Sequence, residues 1–545
     1  MAMIDLIAQN LAPIMFAVVM GLLLLGYPVA FTLAAGGIAF FAIGVGFSAI
    51  TPDHVHLSWT LMQAQPDRVF GILSNDTLLA VPFFTLMGAI FQRTGIAEDL
   101  LSAVAELFGP VRGGLSFAVV LVGALLAATT GVVSASVMTM GLIALPIMMR
   151  TKYHPQVAAG TVTAAGTLSQ IVPPSLVLIV MADQVGRPVG EMYKGALVPS
   201  ALMIGLYMAL IAALAIMFPR LMPAMGGTRV AGRDYASLGV MAGIGALAGW
   251  AGGAFFKMAF SPEGALVATV ALGAVVALVL AWADAHAERY STALSRKVIF
   301  AAVPTLGLIF LVLGTIFLGI ATPTESGSLG AVGAMLLALI RGRLPMAELR
   351  QALEQTARLT VFVYFILIGA RVFSLTFYGL GGDEWLHRLL LALPGERAGF
   401  IIFSMVIIFV LGCFLDFFEI AFIVVPLLLP TAVALDIDPL WFGILISMNL
   451  QTSFLTPPFG FALFYLRSVA PLPGKAEHGM RTSDIYTGPA PFILINVFVI
   501  ALVAIFPALV EPGRQVAKPG GTIEINIPAP ADPPGSSKSL NHLFE

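Results

Sequence analysis

Charge and cysteine are what this chain lacks. Of 545 residues, 10% are Asp, Glu, Lys or Arg, where a soluble protein carries about a quarter. That shortage excludes an ordinary soluble domain. Cys413 is the only cysteine, so an intramolecular disulfide and a cysteine metal cluster are both excluded. No H-E-x-x-H, Walker or G-x-S-x-G pattern occurs, which argues against an enzyme and against a nucleotide-driven pump. Net charge is −2 with no basic block, so no nucleic-acid partner is indicated. Asp5 precedes the first apolar run and no Lys or Arg does; this segment lacks the positive start of a signal peptide and reads as a retained helix. The pair in Asp53-His54-Val55-His56 has no further ligands nearby in sequence and reads as a polar loop.

What is present is hydrocarbon. Hydrophobic residues make up 59% of the chain and mean hydropathy is +0.98. Apolar stretches near the roughly 20 residues that span a bilayer occur near 8–26, 29–48, 77–93, 195–219, 237–257, 264–284, 298–319, 324–340, 359–379 and 489–510. Two longer regions, 113–149 and 398–435, carry polar or small residues at their middles and read as re-entrant hairpins.

Two further stretches break the helical pattern. Gly166 to Ser175 carries hydroxyls and Pro173-Pro174; Asn449 to Gly460 carries hydroxyls and Pro457-Pro458. Irregular backbone at membrane depth is tolerated only where protein covers it or a cavity receives it. Proline removes amide hydrogens, and the carbonyls so freed can accept a cation. Broken helices are therefore expected at 155–185 and 440–469.

The landmarks recur. Phe84-x-x-x-Gly88-Ala89 returns as Phe365-x-x-x-Gly369-Ala370, at an offset of 281. Pro146 returns as Pro426, at 280; His154-Pro155 as Asp438-Pro439 and Pro173-Pro174 as Pro457-Pro458, both at 284. Such constancy defines two repeats, 1–219 and 298–510. Residues 220–297 add two helices without a counterpart, a peripheral pair facing lipid or a partner. The Pro- and Gly-rich tail, 511–545, is expected to be disordered. With the loop 93–112 taken as cytoplasmic, 17 of the 27 basic residues fall on that side and 6 on the other. The positive-inside bias then makes the repeats inverted. The expected fold class is an all-α polytopic membrane protein.

Candidate chemistry sits at the hairpin tips. Around Thr129-Thr130-Gly131 and Ser134-Ala135-Ser136, hydroxyls and glycine carbonyls are hard oxygen ligands for an alkali cation, and the hydroxyls can instead donate to a carboxylate; equally, small residues let helices pack closely. The second tip holds Asp416 and Glu419, one turn apart, which could grip a cation, relay a proton or cap a helix. Arg371 could pair with Asp416, Glu419 or Glu325, or meet an anionic substrate through its planar fork. Glu325, in Thr322-Pro323-Thr324-Glu325, suits a helix start.

Taken together, Gly26-Tyr27-Pro28-Val29-Ala30-Phe31, Ala128 to Pro146, Gly166 to Ser175, Thr322 to Glu325 and Phe414-Leu415-Asp416 through Gly460 resemble the large membrane subunit, DctM-like, of tripartite ATP-independent periplasmic (TRAP) transporters. The resemblance covers both halves. It implies an elevator-type, sodium-coupled importer of an organic acid in the bacterial inner membrane, with sodium as coupling ion and no organic cofactor. The implied partners are a small four-helix membrane subunit, a periplasmic substrate-binding protein and membrane lipid. It places a first sodium site at Thr130, Gly131, Ser134, Gly166, Thr167 and Ser169, and a second at Asp416, Asn449, Thr452, Ser453 and Thr456. Substrate is placed between them, at Ser136, Pro174, Ser175, Arg371 and Pro458. The chain departs from the common pattern in its extra helix pair and in Gln451-Thr452-Ser453-Phe454, where many relatives are Gly-rich. The pair has two spans rather than four, so it is not expected to be a fused small subunit. A stand-alone sodium–carboxylate symporter or exchanger of related architecture is the alternative.

Overall fold

The computed structural model describes residues 2–51, 55, 57–225, 232–259, 262–283, 292–471 and 479–510. The polar loop at 53–56 (apart from Val55), the tail at 511–545, and the side chain of Thr130 lie outside the described residues. Among the described residues every regular element is helical. Nine helices among the described residues are long and apolar enough to cross a membrane.

In chain order, α1 (Ala2–Gln9), α2 (Leu11–Leu24) and α3 (Val29–Ile50) precede α4 (Gln65–Leu73) and α5 (Ala80–Arg93). Next come α6 (Ile96–Phe108), a hairpin of α7 (Gly114–Thr130) and α8 (Val133–Arg150), the interrupted pair α9 (Pro155–Thr167) and α10 (Leu176–Val185), and α11 (Val189–Met217). The extra pair is α12 (Gly232–Ala259) and α13 (Pro262–Ala283). After it the order recurs: α14 (Ala293–Phe317), α15 (Pro323–Ile340), α16 (Met346–Gly379) and α17 (Gly382–Leu391). The second hairpin runs from α18 (Glu396–Gly412) to α19 (Phe417–Glu419), a π turn at Ile420–Val424, and α20 (Val425–Ala434). The interrupted pair α21 (Pro439–Ser453) and α22 (Phe461–Val469), then α23 (Thr482–Thr487) and α24 (Ala490–Ile505), complete the chain.

The two halves hold each other reciprocally. Helix α3 of the first half lies along α16 of the second, and α15 of the second lies along α5 of the first. Small residues permit the close approach. A Cβ on Gly369 of α16 would stand 2.5 Å from the Ala30 carbonyl, and one on Gly37 of α3 would stand 3.1 Å from the Phe373 amide. The Thr376 hydroxyl donates to the Gly37 carbonyl at 3.0 Å across that crossing. At the other crossing Gly327 and Gly330 of α15 meet Phe84 and Met87 of α5. The interrupted helices cross over too: α10 packs on α19 and α20 of the second hairpin, and α22 packs on α8 of the first.

Differences from the sequence reading concern amphipathic and extended helices. Short α6 and α17, one before each hairpin, were not among the apolar stretches because polar residues cover one face. Each starts after a left-handed glycine, Gly95 (φ 69°) or Gly381 (φ 73°), and each hairpin starts after another, Gly113 (φ 74°) or Gly395 (φ 89°). A positive φ of this kind costs glycine little and turns the chain sharply. Between α17 and α18 the turn reaches 115°. Helix α16 is 34 residues long and begins at Met346, well before the apolar start expected near 359; its first turns carry Glu348, Arg350 and Glu354. The extra pair is joined through glycine: a Cβ on either Gly245 or Gly273 would stand 2.8 Å from the other's carbonyl. It rests on α14, and the Tyr235 hydroxyl donates to the Leu107 carbonyl of α6 at 2.7 Å. Trp250 and Trp282 point outward from it.

Candidate functional site

At the first tip, Gly131 closes α7 in a left-handed conformation (φ 59°), its amide bonding the Ala127 carbonyl at 3.3 Å. A Cβ there would stand 3.1 Å from the Leu176 amide, so the tip sits directly on the start of α10. Gly166 is equally constrained, facing the backbone of Val137 in α8. The first hairpin and the first break thus meet where both carry glycine. Ser134 is half-buried and Ser136 buried.

The breaks share one chemistry. In the first, Thr167 Oγ1 donates to the Ala164 carbonyl at 3.0 Å, and Ser169 Oγ to Gly166 at 2.9 Å. Ser175 Oγ donates back to the carbonyls of Ser169 (2.8 Å) and Gln170 (3.1 Å). In the second, Thr452 donates to Met448 at 3.0 Å, Ser453 to Leu450 at 2.9 Å and Thr456 to Thr452 at 2.8 Å. A hydroxyl has one proton and two lone pairs. With each proton spent on a carbonyl three to six residues upstream, the oxygen is left as an acceptor. A row of such acceptors suits a hard cation. Both Pro173-Pro174 and Pro457-Pro458 bonds are cis. The first break, Pro174 and Ser175 included, is buried, whereas Pro457, Pro458 and Phe459 are exposed.

At the second tip both carboxylates serve the helix start. Asp416 Oδ1 accepts from the Phe417 amide at 2.8 Å, and Glu419 Oε2 accepts from the Asp416 amide at 2.9 Å, a capping box. Glu325 does the same at α15, accepting from the Thr322 amide at 2.8 Å. Gly412 brings the tip onto the second break: a Cβ there would stand 2.3 Å from Ser453 Oγ. Asn449 Nδ2 donates to the Met405 carbonyl of α18 at 2.7 Å, which pins α21 to the hairpin.

One residue between the tips was missed by sequence reasoning. Tyr465, on α22, lies near Ser134 of the first tip, with Asp416 and Glu419 of the second at longer, electrostatic range. Its only signal was a position eight residues after Pro457. Also missed was buried polarity behind the breaks. Tyr207 Oη donates to Asn496 Oδ1 at 2.6 Å and receives Gln451 Nε2 at 3.4 Å, while neither amide atom of Gln170 has a partner among the described residues.

Arg371 forms no ion pair with Asp416, Glu419 or Glu325; it is exposed, and lines a recess of about 220 Å3 with Arg68, Asn75 and Asp183. Asn75 donates to Asp183 at 2.7 Å there. The structure does not bring Arg371 together with the tips because α16 places it nearer the carboxyl end of that helix. A larger cavity, about 930 Å3, lies between α5, α16 and the first-hairpin arm α8, and contains Ser134. Gln92 of α5 spans its side, donating to the Ala135 carbonyl at 2.9 Å and to Thr139 Oγ1 of α8.

Paired hairpins set against paired interrupted helices define a helical membrane transporter. The family description "Tripartite ATP-independent periplasmic transporter, DctM component" matches residues 16–509, and the chain belongs to this family. It is similar to the C4-dicarboxylate TRAP transporter large permease protein DctM of Pseudomonas aeruginosa, 26% identical over 83% of this chain and 90% of the relative. It is also similar to the sialic acid TRAP transporter large permease protein SiaM of Vibrio cholerae, 24% identical over 90% of this chain and 95% of the relative. Among solved structures, the Alcanivorax borkumensis YdaH transporter shares the fold, with a TM-score of 0.50, 15% identity, and coverage of 82% of this chain and 88% of that one.

Proposed function

We propose that this chain is the permease of a sodium-coupled importer of an organic acid, working by an elevator movement in the bacterial inner membrane. The observation that carries the reading is that each hairpin tip meets its own broken helix, each break lined by hydroxyl oxygens whose protons are already committed. Such oxygens accept a sodium ion without a competing donor. Thr167, Ser169 and Gly166 with the first tip, and Asp416, Asn449, Thr452, Ser453 and Thr456 with the second, are the proposed ligand groups. Sodium entry down its gradient supplies about 2.3 kcal/mol per charge per 100 mV, besides any concentration term. The relatives named for C4-dicarboxylates and for sialic acid support a carboxylate as substrate class.

The cavity between α5, α16 and α8 supports movement of the first hairpin relative to α5 and α16, since it lies between them on one side. The reading includes a small four-helix subunit and a periplasmic binding protein as partners.

Reconstitution tests it. Liposomes holding the chain and its small subunit should take up carboxylate only with the binding protein present and sodium higher outside. Uptake without the binding protein would favour a stand-alone symporter; uptake indifferent to sodium would remove the coupling ion.

A further inference from the structure

The cavity of about 930 Å3 carries more polarity than a lipid-facing cleft requires. Gln92, Ser134, Thr139, Gln355, Arg358 and Phe362 are among its lining residues. The α16 side forms one stripe, Gln351, Gln355, Arg358 and Phe362 recurring at three- and four-residue intervals. Three charged side chains reach the cavity: Arg93, Glu354 and Arg358. Two are compensated locally. Arg93 stands 3.6 Å from Glu348 and donates to Gln351, and Glu354 accepts from Arg350 at 3.1 Å. Arg358 has no carboxylate partner among the described residues, and it faces the tip of the first hairpin across this space. The amino-terminal turn of α8, which no side chain caps, lines the same space.

We propose that Arg358 is the residue that receives the substrate's carboxylate in this cavity, with the side-chain oxygen of Gln92, whose two N–H groups are held by Ala135 and Thr139, and the amide of Gln355 hydrogen-bonding the rest of the molecule. This rests on the transport reading above and deepens it by naming the anion contact. A guanidinium offers two parallel donors to one carboxylate, a match that lysine cannot reproduce. An uncompensated cation beside uncharged amides favours an anion over a neutral polyol. Arg371, in its separate recess with Asp183, has no such access to the tips.

The test uses the chain with its small subunit in nanodiscs, and titration calorimetry with succinate, benzoate, N-acetylneuraminate and neutral mannitol in saturating sodium. At least one carboxylate should bind and mannitol should not. Arg358→Ala should weaken carboxylate binding by about tenfold or more, equivalent to about 1.4 kcal/mol, and Arg358→Lys should recover only part. Arg388→Ala, which removes an exposed arginine away from the cavity, should change nothing. Undiminished binding by Arg358→Ala, binding by no carboxylate, or equal binding of mannitol would each overturn the assignment. Thermal stabilisation by sodium, measured on the same samples, reports folding of the variants and tests the coupling ion separately. Its loss in the unaltered chain would count against sodium coupling while leaving the Arg358 result to stand or fall alone.

Discussion

Asp416 and Glu419 satisfy a structural demand at the second tip, the capping of a helix start. Sequence reasoning found both because carboxylates are conspicuous in an apolar hairpin, yet it could not divide capping from ion binding. The geometry assigns each a capping hydrogen bond, and leaves Asp416 half-buried. Asparagine caps a helix about as well as aspartate. Asp416→Asn should therefore keep the fold, with a melting temperature within a few degrees of the parent, while raising the sodium concentration for half-maximal uptake by about tenfold, the effect of losing about 1.4 kcal/mol. Unaltered sodium dependence would leave Asp416 as a cap only. The Tyr465→Phe variant removes a hydroxyl that lies near Ser134 of the first tip. It should slow uptake several-fold at unchanged expression, and an unchanged rate would show that this hydroxyl is dispensable.

At the scale of elements, the interruptions were legible and the amphipathic connectors were not. Proline and glycine punctuate an apolar run visibly, because one lacks an amide hydrogen and the other a side chain. The breaks therefore fell where Pro173-Pro174 and Pro457-Pro458 stand. Helices α6 and α17 carry their apolar residues on one face only, so a search for continuous hydrophobicity passes over them. The helix crossings impose their own prediction. Gly369→Ala places a methyl 2.5 Å from the Ala30 carbonyl, a backbone atom with no freedom to swing aside. Overpacking of this kind costs about 1–3 kcal/mol, and should lower the melting temperature of the purified permease. Gly71→Ala, where a Cβ meets nothing within 4 Å, should not lower it. Equal melting temperatures for the two variants would contradict the close α3–α16 crossing.

For the whole molecule, the question is whether the hairpins move against the helices beside them. Gln92 of α5 holds Ala135 and Thr139 of α8, so α5 and α8 are in contact in this conformation. Cysteines at both Gln92→Cys and Thr139→Cys, in a Cys413→Ser background, should form a disulfide that reduces uptake more than tenfold, with recovery on reduction. Full uptake by the cross-linked protein would exclude movement between these two helices during the cycle. The reciprocal placing of α3 on α16 and α15 on α5 means that neither half can complete its packing alone. Each half expressed separately should therefore aggregate or be degraded, and stable monodisperse halves would contradict this interdependence.

Composition and local chemistry were enough to determine a helical membrane protein, the positions of both hairpins and both broken helices, and the residues that resemble a TRAP permease. Those features are short-range: span length, missing amide hydrogens and hydroxyl clusters are written in consecutive residues. The tertiary structure alone decided which of them meet. It brought Tyr465 near Ser134 across more than three hundred positions, placed Arg371 in a separate recess, and set Arg358 in one cavity with the first hairpin. Contacts between distant segments depend on how two glycine-lined crossings bring the halves together, and no pattern within either half encodes that distance.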